Sequence, residues 1–387
     1  MYLNIAYYID PQLKPIQLIV GSSTGIKDFL NDADSSGFII PKERNATENN
    51  PNGLKVSMAN NPFTFPNEST YQVGSSEIVA LMSNAVSVGT GQTGAAPLYV
   101  FCKDGVYALI VDSSGEMTYT NARIIARDVC NNAKSVTPID SGVVFTTDRG
   151  LMSIAGSEVV ELGAAAEGDV FDITDPSDKT KQFMFQRFTH VQLGALPQSL
   201  LDNVDFLTYL KGAIVNYDHN DRELMVSNPN YEYTYIMDRN SNWSRRDIKA
   251  VEYVNNYPTS YRVDNAGVLH KVDVEDNVRG NCFLMSNVIK LGTIAFKQAY
   301  RLVVRGYFET NINTHIGCYV FGSYDGRKWA LIGGNEKQGN FTDIGCNISH
   351  TDMKYLRLCL AGQLSKDSRI DFIEIEAGGS ALNGKLR

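Results

Sequence analysis

Two neighbouring segments are the most informative about the fold: residues 98–109 read LYVFCKDGVYAL, and residues 142–154 read GVVFTTDRGLMSI. In each stretch an apolar run rich in β-branched and aromatic residues ends at an Asp-Gly or Asp-x-Gly turn, and a second apolar run follows. Gly105 and Gly150 can supply the positive φ that a tight turn requires. Both stretches therefore predict antiparallel hairpins, and their repetition indicates a β-propeller, in which similar sheets succeed one another.

The spacing of further strand pairs supports this interpretation. Turn-bearing aspartates occur at Asp104, Asp148, Asp218 and Asp264, at intervals of 44, 70 and 46 residues. Two of these intervals match the roughly 40–50 residues of a propeller blade. The longer interval contains leucines at helical spacing between residues 200 and 210, which predict a short inserted helix. We therefore predict an all-β chain whose residues 1–282 form a β-propeller, either incomplete or with an inserted helix.

The two ends of the chain differ from this pattern. Strand candidates at 3–9 and 16–20 are compatible with a damaged first blade, and the Asn-rich residues 42–61 predict a surface loop. Six short strands are predicted after residue 287, at 288–291, 299–307, 315–323, 329–332, 355–360 and 370–376. Turn residues separate them, as in antiparallel sandwiches. We predict a C-terminal antiparallel β-sandwich over residues 283–387.

Composition narrows the classes of protein that fit. The chain has 35 basic and 43 acidic residues, a net charge of -8, which disfavours a broad phosphate-binding surface. Its six cysteines form no C-x-x-C pair and have no histidine at a metal-ligand spacing, so we predict buried thiols. The N-terminus lacks the basic flank and apolar core of an export signal, and no apolar run approaches the ~20 residues of a membrane span.

The residue types that enzymes use for catalysis form no known catalytic or metal-binding motif in this sequence. Five scattered histidines give no zinc spacing, and the chain has no G-x-S-x-G elbow, P-loop or complete calcium loop. We interpret the turn aspartates as acceptors of backbone hydrogen bonds. A propeller hydrolase or lyase remains an alternative, and a retaining one would need two carboxyl groups about 5 Å apart. We therefore predict no enzyme, no cofactor and no metal ion.

Two pairs of residues are candidates for contacts with other molecules. Arg127 and Asp128 are adjacent charges that can either pair within the sheet or contact another subunit, and pairing is the favoured interpretation. Tyr324 and Trp329 flank the turn of a C-terminal hairpin similar to those of discoidin-like carbohydrate-binding sandwiches. An exposed Trp329 could stack on a sugar, although a tryptophan after a hairpin turn is more often part of the core.

An ordered series of motifs extends from residue 61 to the C-terminus: NPF at 61–63, PLYVF at 97–101, DGVYAL at 104–109, RDVC at 127–130, VFTTDRGLM at 144–152, YD at 217–218, NYP at 256–258, RGYF at 305–308 and KYLRL at 354–358. In this series the chain resembles a family of tail proteins from short-tailed bacteriophages and their prophages. The resemblance implies a virion tail protein similar to the propeller-containing nozzle or tail-stabilisation proteins, made in the bacterial cytoplasm and without catalytic residues.

That resemblance also implies partners. We expect a ring of identical subunits, bound to other tail or portal-adaptor proteins, through which DNA passes without specific binding. Acidic turn side chains facing the lumen would repel phosphates, which gives the net negative charge a use. The alternative function is carbohydrate binding through Tyr324 and Trp329, in glycan or host-surface recognition.

Overall fold

The computed structural model describes residues 50–57, 69–83, 97–111, 119, 122–164, 166, 204–272, 279–292, 295–308, 315–349, 351–365 and 368–380. The chain separates into two units, Met1–Asn50 and Pro51–Arg387, and the described helices and strands all belong to the second. The strands predicted before residue 40, the NPF motif at 61–63 and residues 42–49 and 58–61 of the Asn-rich segment lie outside the described residues. The described part of that segment, 50–57, contains the short strand Gly53–Lys55 and is therefore not entirely the predicted loop. The domain boundary predicted at residues 282/283 falls inside the second unit and stays a prediction.

The first part of this unit is a succession of antiparallel sheets. Strands β1 (Gly53–Lys55) and β2 (Thr70–Gln72) form a small pair. Four sheets then follow one another along the chain, each a meander in which neighbouring strands pair in sequence order. Sheet I comprises β3 (Ile78–Ser83), β4 (Leu98–Cys102), β5 (Gly105–Leu109) and β6 (Arg123–Ala126); sheet II comprises β7 (Thr137–Ile139), β8 (Gly142–Thr147), β9 (Gly150–Ala155) and β10 (Glu158–Glu161).

The next two sheets continue the pattern. A 3₁₀ turn, Ala133–Ser135, precedes sheet II, and a short helix, α1 (Phe206–Leu210), precedes sheet III. Sheet III comprises β11 (Ile214–Asp218), β12 (Glu223–Ser227), β13 (Thr234–Met237) and β14 (Trp243–Arg246); sheet IV comprises β15 (Glu252–Asn256), β16 (Thr259–Val263) and β17 (Leu269–Lys271).

The hairpins predicted from residues 98–109 and 142–154 are confirmed as β4–β5 and β8–β9. Gly105 has a φ of 145°, and a Cβ at this position would lie 2.4 Å from the carbonyl oxygen of Ala126. Only glycine can therefore occupy this turn without a shift of the backbone.

The predicted inserted helix is confirmed as α1, which is shorter than the leucine pattern indicates. Asp205 caps it by accepting a hydrogen bond from the Thr208 amide at 3.0 Å. Residues 200–203 lie outside the described part of the chain.

Seven strands follow residue 278 and form two sheets. Sheet V has the order β18-β23-β20-β21 and sheet VI the order β22-β19-β24. Of the six predicted strands, the one at 288–291 is only an isolated bridge between Ile289 and Leu356, and the other five correspond to β19, β20, β21, β23 and β24. Strands β18 and β22 are absent from the sequence-based expectation, and β18 crosses the predicted boundary at 282/283 to pair with β23. The strands are β18 (Arg279–Met285), β19 (Lys297–Phe308), β20 (His315–Ser323), β21 (Trp329–Gln338), β22 (Phe341–Asn347), β23 (Tyr355–Ser365) and β24 (Arg369–Gly379).

Side chains of both of these sheets share one core. Val304 and Ile344 of sheet VI pack in the same buried cluster as Val320 and Leu358 of sheet V. All six cysteines are free thiols, and five of them are buried as predicted, whereas Cys282 is half-buried. The predicted all-β class with antiparallel sheets is confirmed. Within the described ranges, no helix has the length and apolar character needed to span a membrane.

Candidate functional site

The first strands of successive sheets lie beside one another. The hydroxyl of Thr137 in β7 donates a hydrogen bond of 2.7 Å to the carbonyl oxygen of Val215 in β11. The hydroxyl of Ser260, in sheet IV, donates to the carbonyl oxygen of Tyr217 at 3.2 Å. Both bonds are buried, and they join sheets II, III and IV along a line formed by β7, β11 and β15.

These first strands also run in the same direction. Near their starts, the side-chain amide of Asn132 donates a hydrogen bond to the carbonyl oxygen of Ala213 at 2.9 Å, and the ammonium of Lys134 lies 2.8 Å from the carboxylate of Glu252. At their ends, His219 after β11 lies against residues that follow β7 and β15. Start lies beside start and end beside end, so the three strands are side by side and aligned.

A cavity of about 240 Å³ lies between the first strands of all four sheets. It has room for several water molecules at roughly 30 Å³ each, and it is smaller than most sites for drug-sized ligands. The ion pair of Lys134 and Glu252 at this cavity is half-exposed, so it adds little stability. The lining combines apolar and neutral polar side chains, among them Met82, Val136, Thr137, Ile214, Asn216 and Tyr253.

Three of the four turn aspartates, Asp104, Asp218 and Asp264, act as hydrogen-bond acceptors, as predicted. Asp264 accepts from the amides of Ala266 and Val268, and its other oxygen lies 2.9 Å from Nε2 of His270; the hydrogen bond with His270, followed by that from Val268, lowers the pKa of the carboxyl group. Asp218 accepts from the Asn220 amide at 3.0 Å. Across the described ranges, no three His, Cys, Asp or Glu side chains group so that they could hold a metal ion.

Asp104 makes its bonds beyond its own turn. Its Oδ2 accepts from the Ser75 amide at 2.8 Å, the Ser75 hydroxyl at 2.7 Å and the Tyr107 hydroxyl at 3.1 Å. Desolvation raises the pKa of the Asp104 carboxyl group, but the hydrogen bonds from Ser75 and Tyr107 outweigh it, and the pKa is lowered overall. The carboxylate therefore has a structural role in holding residue 75 against the β4–β5 turn.

The two residues of the candidate subunit contact, Arg127 and Asp128, lie in different environments. Asp128 does not pair with its neighbour; its Oδ1 lies 3.0 Å from Nη1 of Arg149, in the β8–β9 turn. Asp128 is 16% exposed in this pair, whereas Arg127 is exposed. Pairing within the protein is thus the role of Asp128. Contact with another subunit stays a prediction, and of the two residues only Arg127 is exposed enough to make it directly.

The candidate sugar contacts also differ from each other. Trp329 is 4% exposed and packs with Tyr319 and Phe321, while the guanidinium of Arg357 lies 4.7 Å from its ring centroid. Its ring belongs to the core, the more frequent position for a tryptophan after a hairpin turn, and presents no open face to a sugar. Tyr324 is 56% exposed. Of the two predicted contacts, only Tyr324 lies where a ligand could reach it.

A cluster that the sequence does not reveal lies at the aligned strand ends. We call Asp140, Tyr217, His219, Arg222 and Tyr257 the tip cluster. The Tyr217 hydroxyl donates to Asp140 Oδ2 at 2.9 Å, His219 Nδ1 lies 3.3 Å from Asp140 Oδ1, and Arg222 Nε lies 3.7 Å from Asp140 Oδ2. Desolvation, followed by the bond to Asp140, raises the pKa of Tyr217 to about 12. The sequence signal is limited to position: Asp140, His219 and Tyr257 directly follow the first strands of sheets II, III and IV.

Comparison with known proteins establishes no family for this chain. No protein-family model matches the chain, and no curated protein matches it. Among solved structures, a glycoside hydrolase is 10% identical, with 76% of this chain and 84% of that chain covered and a TM-score of 0.16. A structure of the infectious bursal disease virus Gt strain is 9% identical (76% and 66% covered, TM-score 0.16), and the VP2 subviral particle of that virus is 11% identical (81% and 76% covered, TM-score 0.15). TM-scores this low establish no common fold, so these likenesses support no function.

Proposed function

We propose that this protein is a non-enzymatic structural component of a short-tailed phage tail, in which a propeller followed by a sandwich forms one subunit of a ring around the DNA channel. The observation that carries the proposal is the alignment of first strands at the line of contact between successive sheets. The motif series in which the chain resembles the tail-protein family supports the assignment to a virion.

Packing between the sheets supports a propeller. In such a fold each sheet buries its faces against the sheets before and after it. Phe101 of sheet I packs edge to face on Phe145 of sheet II, with ring centroids 5.0 Å apart. Val144 of sheet II shares a buried cluster with Tyr217 and other residues of sheet III, and Met225 of sheet III packs with sheet IV. Each neighbouring pair of sheets therefore has its own buried contact.

The C-terminal sheets support a sandwich. Sheets V and VI bury apolar side chains in one cluster, and alternate residues of β22 point inward, namely Ile344 and Cys346, while Asp343 and Asn347 are exposed. The faces that the two sheets turn towards each other are apolar, as in two sheets packed on each other. The other face of sheet V bears a second buried cluster, to which Tyr319, Phe321 and Trp329 belong.

A channel wall suits the charge of the chain better than a DNA-binding role does. A net charge of -8 repels phosphates on average, and low affinity lets DNA move through a lumen. We infer that acidic turn side chains face this lumen. A carbohydrate-binding function at the C-terminal hairpin lacks its tryptophan platform, because Trp329 is buried.

The test is the assembly of the purified full chain, alone and with any portal or tail proteins that are encoded beside it. Mass photometry and cryo-electron microscopy should show a closed ring whose lumen is lined by acidic side chains. A protein that stays monomeric under both conditions, or a lumen lined by Lys and Arg, would contradict the proposal.

A pair of matched variants tests the predicted subunit contact. Arg127→Glu should shift the ring towards smaller species, because it reverses an exposed charge at the predicted interface. Arg123→Glu makes the same change at an exposed position of β6 and should leave the ring intact. If the two variants form the ring to the same extent, Arg127 makes no specific contact at the subunit interface.

A further inference from the structure

The tip cluster exposes an aromatic ring that the fold does not use for its core. Tyr257 is 76% exposed, the largest exposure among the large hydrophobic and aromatic side chains of the described residues. One edge contact holds its ring, against His219, with centroids 5.0 Å apart and planes at 69°. A ring supported in this way keeps most of its area open, and open aromatic area is the platform on which apolar ligand faces stack.

Two groups of opposite charge are connected to this platform through His219, whose Nδ1 lies 3.3 Å from Oδ1 of Asp140. The side chain of Asp140 is 50% exposed and that of Arg222 is 67% exposed. Each Asp140 oxygen accepts from one side, from Tyr217 or His219, and a carboxylate oxygen has a second lone pair to offer. The Arg222 guanidinium has several N–H donors. Adjacent hydroxyl groups of a ligand could therefore both donate to Asp140 and accept from Arg222.

The charge balance of the cluster selects an uncharged ligand. A phosphate or carboxylate attracted by Arg222 would be repelled by Asp140, which lies 3.7 Å from the Arg222 Nε. A cation drawn to Asp140 would be repelled by Arg222. Neither repulsion acts on an uncharged polyol. If such a ligand has one apolar face, it can stack on Tyr257 and form hydrogen bonds with Asp140 and Arg222.

The cluster is also held in place before any ligand arrives. Tyr217 is 8% exposed and packs edge to face on His219, at 4.9 Å between centroids. Its hydroxyl fixes Asp140, which follows β7, to the end of β11. Since groups fixed in advance lose little conformational entropy on binding, a small ligand can be bound by few contacts.

From these observations we propose that the tip cluster binds a neutral hexopyranose unit of a glycan, with the sugar stacked on Tyr257 and hydrogen-bonded by Asp140 and Arg222. This site is far in sequence from the Tyr324 hairpin. This proposal does not depend on the tail function, because the contacts of the tip cluster lie within one chain and are the same whether or not the chain is part of a virion.

The experiment uses the full chain and an array of neutral oligosaccharides built from glucose, galactose and mannose, beside sialylated and phosphorylated glycans. Binding to at least one neutral glycan is expected, and its affinity is then measured by isothermal titration calorimetry. Failure to bind any neutral glycan at millimolar concentration, or binding of charged glycans alone, would overturn the proposal.

Variants locate the site. Tyr257→Ala should weaken binding at least about tenfold, whereas Tyr257→Phe, which keeps the ring, should bind within about twofold of the wild type. Arg222→Ala should weaken binding about threefold to tenfold through lost hydrogen bonds. Two controls should bind normally: Arg239→Ala, in the exposed β13–β14 turn, and Tyr324→Ala, in the C-terminal hairpin.

Each outcome of the variant measurements shows whether the sugar binds at the tip cluster or elsewhere. Normal affinity of Tyr257→Ala, with its fold verified by circular dichroism, would show that the sugar binds elsewhere. Loss of affinity in Tyr324→Ala alone would move the site to the C-terminal hairpin. Neither result would bear on ring formation, so the sugar site and the proposed tail function fail independently.

Discussion

The rings of Phe101 and Phe145 are in contact between sheets I and II. Replacing these two residues by leucine tests whether the two sheets pack face to face. Both side chains are fully buried, with ring centroids 5.0 Å apart. Each single substitution should lower the free energy of unfolding by about 1–2 kcal/mol, because it removes buried area and leaves a small void. An edge-to-face pair adds about 0.5–1.5 kcal/mol that only the two rings together provide.

The double variant should therefore be less destabilised than the sum of the single variants by about 0.5–1.5 kcal/mol. Guanidinium unfolding at 25 °C measures this difference. The chain has two tryptophans, Trp243 in sheet III and Trp329 in sheet V, so a Trp329→Phe background leaves fluorescence that reports on the first group of sheets.

A control cycle combines Phe101→Leu with Phe308→Leu. Phe308 is equally buried but belongs to the core shared by sheets V and VI. Its effect should add to that of Phe101→Leu within about 0.3–0.5 kcal/mol. Strict additivity in the Phe101–Phe145 cycle as well would refute the packing of sheet I on sheet II, and with it the propeller.

Three further predictions concern single contacts. Tyr99→Phe should cost about 1–3 kcal/mol of unfolding free energy in denaturant titrations, since the buried Tyr99 hydroxyl donates to the Gly156 carbonyl oxygen at 2.8 Å; a loss near zero would contradict this. Asp205→Ala should cost about 1 kcal/mol through the lost cap of α1, and Asp205→Asn or Asp205→Ser should restore most of it. Tyr217 should titrate near pH 12 by ultraviolet absorbance: its folded pKa is raised, so its stabilising contribution is full below about pH 10 and disappears as the pH rises through 12. A Tyr217→Phe variant that keeps the same alkaline unfolding profile would disprove the last prediction.

Local patterns in the sequence were sufficient for most of the strands. The turns at Gly105 and Gly150 fix two hairpins because the backbone there requires positive φ, a property of single residues. Strand β22 escaped prediction because its apolar residues, Ile344 and Cys346, alternate with glycine and polar residues in a segment rich in turn formers. Such a strand is specified by its partner β19 more than by its own composition.

The candidate sites depended much more on distant parts of the chain. The position of Trp329 after a hairpin turn allows both a core and a surface role, and packing against Tyr319 and Arg357 decided for the core. Asp128 has an arginine as its sequence neighbour, yet it pairs with Arg149, which the β8–β9 turn brings to it from 21 residues further along the chain. A sequence pattern contains no distance between residues that lie far apart along the chain.

The acidic charge follows from composition. The all-β class and the individual hairpins also follow from the amino-acid sequence alone, since backbone preference and alternation of side chains act over a few residues. Only the tertiary structure brought Asp140, His219 and Tyr257 together, because these residues are joined solely by the alignment of β7, β11 and β15. That alignment comes from the burial of whole sheet faces against one another, and burial of this kind depends on the entire chain rather than on any one segment.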